Sequence, residues 1–128
     1  MSRTYKPEGY SSVSPYLVVK EAQKTIELLK QIFNAVELRK YHSPDGKIVH
    51  CEVKLDDSVI MLADSNEHYP PNHQLIHVYL SDVQSVFDTA IKAGCESIQP
   101  PSRRKDDPDL RGAFKDFDGN IWSVSTQM

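Results

Sequence analysis

Residues 75–95 read LIHVYLSDVQSVFDTAIKAGC and contain a complete transition from a strand to a helix. The first six residues are mostly apolar and include the β-branched Ile76 and Val78, which is typical of a strand. After this run, apolar side chains recur at helical spacing on one face: Val83, Val86, Phe87, Ala90 and Ile91. Ser81 and Gln84 have the spacing of a capping box that opens the helix, and Gly94 stands where a helix commonly ends.

The same pattern occurs 61 residues earlier in the chain. Residues 13–19 predict a strand, and residues 21–33 predict a helix with one apolar face. An offset of 61 superimposes five apolar pairs, which are Leu17 on Val78, Val19 on Leu80, Ala22 on Val83, Ile26 on Phe87 and Leu29 on Ala90. Self-similarity at a fixed offset indicates a repeated structural unit.

Three short strands are predicted after each helix, so each half has the pattern of a βαβββ module. They are residues 36–41, 48–55 and 59–63 in the first half, and 95–99, 113–117 and 121–126 in the second. Within a single domain of residues 1–128, the modules span residues 12–64 and 74–126 and are joined by a turn-rich linker, 65–73. We expect an α+β fold in which the two modules form a curled mixed sheet around a central cleft.

Two features of the second half are predicted to interrupt regular structure. Pro100-Pro101 is expected to stop the preceding strand, because proline cannot donate to the hydrogen-bond ladder. The charged residues 102–111 then have the length of a lid-like loop. Its arginines could bind a carboxylate or a phosphate, or they could be solvated side chains of an ordinary loop; they are Arg103, Arg104 and Arg111.

Composition excludes several classes of function. The 15 basic and 18 acidic residues give a net charge of -3, which provides no general attraction for nucleic acid or an anionic membrane, so neither is expected as a partner. The first ten residues contain no apolar run, so we expect no signal peptide and a cytoplasmic protein. Cys51 and Cys95 are expected to be free buried thiols in a reducing compartment.

Several segments resemble the glyoxalase/bleomycin-resistance/dioxygenase superfamily, also called the vicinal-oxygen-chelate superfamily. In the first half they are Ser14–Val19, the helix that ends at Phe33, His50–Val53 and Met61–Asp64. In the second half they are Ile76–Val83 and Phe117–Ser123. The resemblance extends over about residues 12–126, depends on the order and spacing of these segments, and is strongest to the PhnB-like branch.

The resemblance implies paired βαβββ modules, a homodimer and a small-molecule partner. Activities in such families include isomerisation, epimerisation, dioxygenation, thiol transfer to antibiotics and drug sequestration, so the fold does not fix the chemistry. Whether the modules pair within one chain or between two chains is left open by the sequence.

The resemblance also indicates where metal-dependent relatives carry their ligands, which are His or Glu. The corresponding first-strand positions are Ser14 and Leu75, and the last-strand positions are Met61 and Ser123. Divalent ions of this kind require carboxylate or imidazole donors, which these side chains lack. We therefore expect no metal and no other cofactor.

The predicted cleft is nevertheless polar. Strand alternation places seven candidate ligand-binding residues on its wall: Tyr16, His50, Glu52, Met61, His77, Tyr79 and Ser123. The histidines could orient a ligand, form with Glu52 a displaced metal-ligand set or an acid–base pair, or only hydrogen-bond to Tyr or Glu across a wet cavity. Tyr16 and Tyr79 could hold a planar ligand or merely fill space.

The sequence thus favours a metal-free superfamily member that binds a small organic ligand in the inter-module cleft. The alternative is a metal-dependent lyase, isomerase or dioxygenase that uses His50, Glu52 and His77 as displaced ligands. No residue is assigned a catalytic role from the sequence. Cys51 is expected to be inert, and Trp122 is expected to lie in the core.

Overall fold

A computed structural model describes residues 4–128. The absence of a signal peptide, expected from residues 1–10, rests partly on residues 1–3, which lie outside the described residues. Two helices and eight strands follow one another in the order β1 Tyr16–Val19, α1 Ala22–Phe33, β2 Val36–His42, β3 Ile48–Leu55, β4 Ser58–Asp64, β5 Leu75–Tyr79, α2 Val83–Lys92, β6 Glu96–Arg103, β7 Asp109–Lys115 and β8 Ile121–Gln127. The chain divides into two compact units: residues 4–30 with 34–71, and residues 31–33 with 72–128.

Each unit contains one four-stranded mixed sheet, and the two sheets share one topology. Their strand orders are β1-β4-β3-β2 and β5-β8-β7-β6. In each, the first strand pairs in parallel with the last, and the remaining pairs are antiparallel. The predicted α+β fold with two pseudo-repeated modules is confirmed, with two separate sheets in place of the single expected one.

The offset of 61 is visible in the start of the helices, since α1 begins at Ala22 and α2 at Val83. In each module the end of the last strand caps the helix. The Asp64 carboxylate accepts from the backbone N–H of Ala22 at 2.7 Å, and the Thr126 hydroxyl accepts from that of Val83 at 2.9 Å. These bonds satisfy helix N–H groups that have no intrahelical partner.

The ends of α2 confirm one prediction and correct another. The capping box of Ser81 and Gln84 is wrong: Asp82 is the N-cap residue, and its carboxylate accepts from the backbone N–H of Ser85. Gly94 does end the helix, with φ of 102°. The amides of Gly94 and Cys95 donate to the carbonyls of Ile91 and Ala90, which is the Schellman arrangement.

The prediction that Pro100-Pro101 ends a strand is wrong, since β6 continues to Arg103. This strand lies at the edge of its sheet, and the prolines fall in a register shift between Gln99 and Ser102, so the ladder does not need their missing N–H groups. Opposite them, Gly112 leaves room, because a Cβ there would lie 3.2 Å from the Pro101 nitrogen. The lid-like loop predicted for 102–111 shrinks to residues 104–108.

The strand predicted for residues 13–19 begins only at Tyr16, although the Pro15 carbonyl already accepts from Met61 of β4. The core predictions hold. Trp122 is 1% exposed and donates its indole N–H to the buried Asp116 carboxylate at 2.9 Å. Cys51 and Cys95 are buried and unpaired, and burial raises the pKa of each thiol to about 11, as expected for inert cysteines.

No helix in residues 4–128 is both long and apolar enough to cross a membrane.

Candidate functional site

The first sheet carries a polar row on the face opposite its apolar side chains. Met61 of β4 is the register partner of both Tyr16 on β1 and Glu52 on β3, so these three residues share one face. His50 lies two residues before Glu52 and therefore points the same way. The register that the sequence required is confirmed, and Tyr16, His50, Glu52 and Met61 lie together.

Three of these side chains form a continuous hydrogen-bonded chain. The Tyr16 hydroxyl lies 2.9 Å from His50 Nδ1, and His50 Nε2 lies 2.9 Å from Glu52 Oε2. The His50 ring also lies between two tyrosine rings, with centroids 5.6 Å from Tyr16 and 6.3 Å from Tyr41. Because both nitrogens are bonded and the ring is flanked, His50 is held in one orientation.

Glu52 is a charged side chain in a buried position, since only 3% of it is exposed. Its second oxygen, Oε1, accepts a short hydrogen bond from Tyr10 and lies 3.7 Å from Arg39 Nε. Burial opposes ionisation, but the bonds from Tyr10 and His50 and the charge of Arg39 outweigh it and hold the pKa of Glu52 below its usual value. Glu52 is therefore a carboxylate at neutral pH.

A cavity of about 660 Å³ adjoins this row and belongs wholly to the first unit. Tyr16 lines the cavity, whereas His50 and Glu52 do not. Its other lining residues are Val18, Ser43, Asp45, Lys47, Ile48, Val49, Ala63, Asp64, Ser65, Asn66 and Tyr69. The volume suits a small organic molecule, and the walls combine apolar side chains with a few polar groups.

Two of the polar lining groups are already occupied by structural bonds. The carboxylate of Asp64 accepts from the backbone N–H groups of Ala22 and Ile48. The carboxylate of Asp45 accepts from Ser43 and from the Lys47 N–H in the β2–β3 turn. The lining residues left to meet a ligand therefore include Tyr16, Lys47 and Tyr69.

The second sheet has its own polar face. His77 of β5 lies 2.9 Å from the Ser123 hydroxyl through Nδ1 and 2.9 Å from the Ser125 hydroxyl through Nε2. The Tyr79 ring meets the His77 ring edge-on at 4.8 Å, and its hydroxyl donates to the buried Asp109 at 2.7 Å. The partners expected for His77 were Tyr or Glu, and the structure supplies two serines.

Arg111 does not lie in a loop, as the sequence suggested, but on β7. Its guanidinium lies 3.0 Å from the Asp107 carboxylate and 3.2 Å from that of Asp109. Arg103 donates to the backbone carbonyl of Asp107. Both arginines thus bind groups of their own module, which argues against a clamp for a ligand anion.

The four positions that correspond to metal ligands in relatives do not fit an ion. Ser14, Met61, Leu75 and Ser123 offer no carboxylate or imidazole, and the Ser14 hydroxyl is buried with no hydrogen-bond partner. Across residues 4–128, no group of three or more His, Cys, Asp or Glu side chains is arranged to hold a metal.

Sequence reasoning missed Tyr10, Arg39 and the cavity residue Tyr69. Tyr10 precedes the first repeat and carries no periodic signal. Arg39 reaches Glu52 because the pairing of β2 with β3 shifts register between Glu37 and Lys40, which alternation does not reveal. The sequence signal available for the cluster was the pair His50 and Glu52 on one strand face.

Comparison with known proteins gives a family and a set of structural neighbours. The model of the Glyoxalase/Bleomycin resistance protein/Dioxygenase superfamily matches residues 11–124. Uncharacterized proteins of Mycobacterium bovis and Mycobacterium tuberculosis are 28% identical over 126 residues, covering 88% of this chain and 81% and 72% of theirs.

Two solved structures share the fold at low identity. TioX from Micromonospora sp. ML1 matches with a TM-score of 0.78 and 18% identity, covering 92% of this chain and 99% of that chain. The fosfomycin resistance protein FosX from Listeria monocytogenes, complexed with Mn(II) and sulfate, matches with a TM-score of 0.71 and 18% identity, covering 92% and 90%.

Proposed function

Because this chain belongs to the glyoxalase/bleomycin resistance/dioxygenase superfamily, we propose that it binds a small organic ligand without a metal ion. The ligand occupies the cavity of the first unit, against Tyr16. Its chemistry is set by the hydrogen-bonded chain of Tyr16, His50 and Glu52 behind that wall.

The observation that carries this proposal is the burial of an ionised Glu52 directly behind a cavity wall. Burying a carboxylate costs several kcal/mol, an expense that an apolar residue at the same place would avoid. Here it is offset by Tyr10, His50 and Arg39. Charged clusters of this kind are typical of binding and catalytic sites, and this one is linked to the cavity through Tyr16.

The donor set supports a metal-free site. His50 and Glu52 form an imidazole–carboxylate pair on the face of the first sheet, and they are already bonded to each other and to tyrosines. Binding an ion there would require these bonds to break. Two donors also fall short of the three or more protein ligands that structural and catalytic sites of divalent transition metals usually have.

A metal-dependent enzyme is the second candidate, and the similarity to FosX complexed with Mn(II) favours it. In that case His50 and Glu52 would act with His77 as displaced ligands. The fold itself is shared between the two candidates, so it does not separate them.

Calorimetric titration of the purified protein with benzoate, 4-nitrophenol and indole tests the first candidate. We expect at least one of them to bind, and we expect Ala63→Phe, which fills the cavity, to abolish that binding. Leu38→Phe adds the same ring at an exposed position on β2 and serves as the control. Binding that survives in Ala63→Phe would place the ligand elsewhere, and failure of all three probes to bind would count against a binding protein of this kind.

Thermal shift with Mn(II), Ni(II) and Zn(II) tests the second candidate. A metal at a hundredfold excess over its Kd would stabilise the protein by about 2.7 kcal/mol, which is readily seen. We expect no shift after EDTA treatment, and no stoichiometric metal by elemental analysis. One bound metal per chain that is lost in His77→Ala would instead establish the metal-dependent candidate.

Four finer expectations stay predictions. They are a ligand cleft between the modules, a homodimer, a cytoplasmic location and membership of the PhnB-like branch. A ligand role for His77, Tyr79 and Ser123, expected from the sequence, also stays a prediction and is separate from the cavity of the first unit.

A further inference from the structure

The chain of Tyr16, His50 and Glu52 has a direction. Glu52 carries no proton at neutral pH, so His50 must donate to it through Nε2–H. In the neutral imidazole this leaves Nδ1 as an acceptor, and the Tyr16 hydroxyl donates to it at 2.9 Å. Tyr16 is the member of the chain that lines the cavity, and its oxygen is the acceptor at that end of the chain.

From this geometry we propose that Tyr16, backed by His50 and Glu52, takes the proton of a weakly acidic hydroxyl group on the ligand. The cavity would then select phenols or enols and hold them as anions. This inference rests on the proposed function, because it specifies the ligand of the same cavity.

Every proton in this step is accounted for. The ligand O–H bond breaks, and its proton binds the Tyr16 oxygen. The original Tyr16 proton moves to His50 Nδ1, so the imidazole becomes an imidazolium that remains paired with the Glu52 carboxylate. The ligand anion accepts a hydrogen bond from Tyr16, and no oxidant, reductant or second substrate is consumed.

The charges around the chain favour this transfer. Glu52 stabilises the imidazolium at 2.9 Å; the carboxylate is buried, and the partly exposed His50 ring lets water screen the interaction only in part. The positive charge of Arg39 opposes the imidazolium, but its guanidinium is half exposed and lies 3.7 Å from the other carboxylate oxygen of Glu52, Oε1. Tyr10 and Cys51, two further titratable groups beside the chain, have pKa values raised above their usual range and are neutral at physiological pH.

The cavity wall suits an anion with an apolar body. Val18, Ile48 and Ala63 supply apolar surface, and Lys47 supplies an ammonium group. The lining carboxylates of Asp45 and Asp64 keep their negative charge and oppose an anion, and their bonds to backbone N–H groups offset only part of that repulsion. A planar phenol therefore finds an apolar surface, a cation and a proton acceptor within one site.

4-Nitrophenol reports this proton transfer directly, because its phenolate absorbs at a longer wavelength than the phenol. The probe is titrated with protein at a pH where the free phenol is mostly protonated, and binding is measured separately by calorimetry. We expect the phenolate band to grow with occupancy, corresponding to an acid dissociation constant about tenfold or more above that of the free probe.

Two variants and a control separate this role from a structural one. Tyr16→Phe removes only the acceptor oxygen, and Glu52→Gln removes the charge that holds the imidazolium; both should return the bound probe to its ordinary protonation. Tyr5→Phe makes the same phenol-to-phenyl change at an exposed position outside the chain and should leave the band unchanged. A purely structural cluster would change stability without changing the spectrum.

The outcomes distinguish this inference from the proposed function. A probe that binds and stays protonated, or whose band survives in Tyr16→Phe, overturns the proton transfer but leaves a binding protein. If 4-nitrophenol fails to bind while benzoate or indole binds, the proposed ligand class of phenols and enols is wrong. If none of the three binds, the proposed function itself fails.

Discussion

Replacing Glu52 by Gln tests whether the buried carboxylate organises the site. The carboxylate accepts hydrogen bonds from Tyr10 and His50 on separate oxygens, and such charge-assisted bonds are worth about 1.5–3 kcal/mol each. An amide has one acceptor oxygen, so its NH2 group must face one of the two donors. The ion pair with the half-exposed Arg39 adds less than about 1 kcal/mol.

We therefore expect Glu52→Gln to lower the free energy of unfolding by about 2–3 kcal/mol at pH 7, because one charge-assisted bond is lost and two donors are brought together. The loss is kept to this size because Tyr10 and His50 are partly exposed and can regain water. Urea unfolding followed by far-UV circular dichroism measures it. Glu37→Gln is the matched control, since Glu37 pairs with Lys30 and Lys40 nearer the surface and should cost less than about 1 kcal/mol.

The pH dependence of the free energy of unfolding provides a second test of the contribution of Glu52. The pKa of Glu52 is lower in the folded than in the unfolded chain, so its contribution is complete above the unfolded value of about 4.3 and is lost as the pH falls through the folded value. The stability difference between wild type and Glu52→Gln should therefore shrink in acid. A difference that persists unchanged in acid, or a cost no larger than that of Glu37→Gln, would refute the reasoning.

Three further predictions concern the scaffold. Asp116→Ala should lower the free energy of unfolding by about 3 kcal/mol, because the buried carboxylate accepts from the Trp122 indole and from two backbone amides. A red shift of the Trp fluorescence should accompany the lower melting temperature, and unchanged emission and melting would contradict this. Gly119→Ala should lower the free energy of unfolding, measured with a chemical denaturant, by about 1–2 kcal/mol, because φ of Gly119 is 88° and the new Cβ would lie 3.2 Å from the His73 ring. An unchanged free energy would show that the turn relaxes freely. Iodoacetamide at pH 8 should label Cys51 and Cys95 slowly in the native protein and rapidly in urea, because burial raises the pKa of both thiols to about 11. Mass spectrometry follows the labelling, and rapid labelling of the native protein would disprove the inertness of the two thiols.

The repeat made much of the fold predictable. A helix and strand pattern that recurs after 61 residues fixes the order of elements, and the observed helix starts at Ala22 and Val83 reproduce the offset. Boundaries were less predictable where tertiary context decides. Pro100-Pro101 is compatible with β6 only because β6 is an edge strand and Gly112 faces the prolines, neither of which is visible in local sequence.

The candidate site was predictable to the extent that it follows strand alternation. Alternation along β3 places His50 and Glu52 on one face, and the parallel pairing of β1 with β4 adds Tyr16 and Met61. Tyr10 could not be found this way, because it lies outside both repeats and is 42 positions away from Glu52 in the sequence. The cavity is similarly set by the loop between β4 and β5, which carries Tyr69 and has no periodic pattern.

Amide spectra of the metal-free protein would test the central claim most directly. The ¹H–¹⁵N spectrum of EDTA-treated protein is followed while benzoate, 4-nitrophenol and indole are added in turn. The proposal predicts saturable shifts clustered at the cavity wall, at residues 16–18, 47–49, 63–66 and 69, that do not depend on added Zn(II). Shifts confined to β5 and β8, or seen only after Zn(II) is supplied, would contradict a metal-free site on the first sheet.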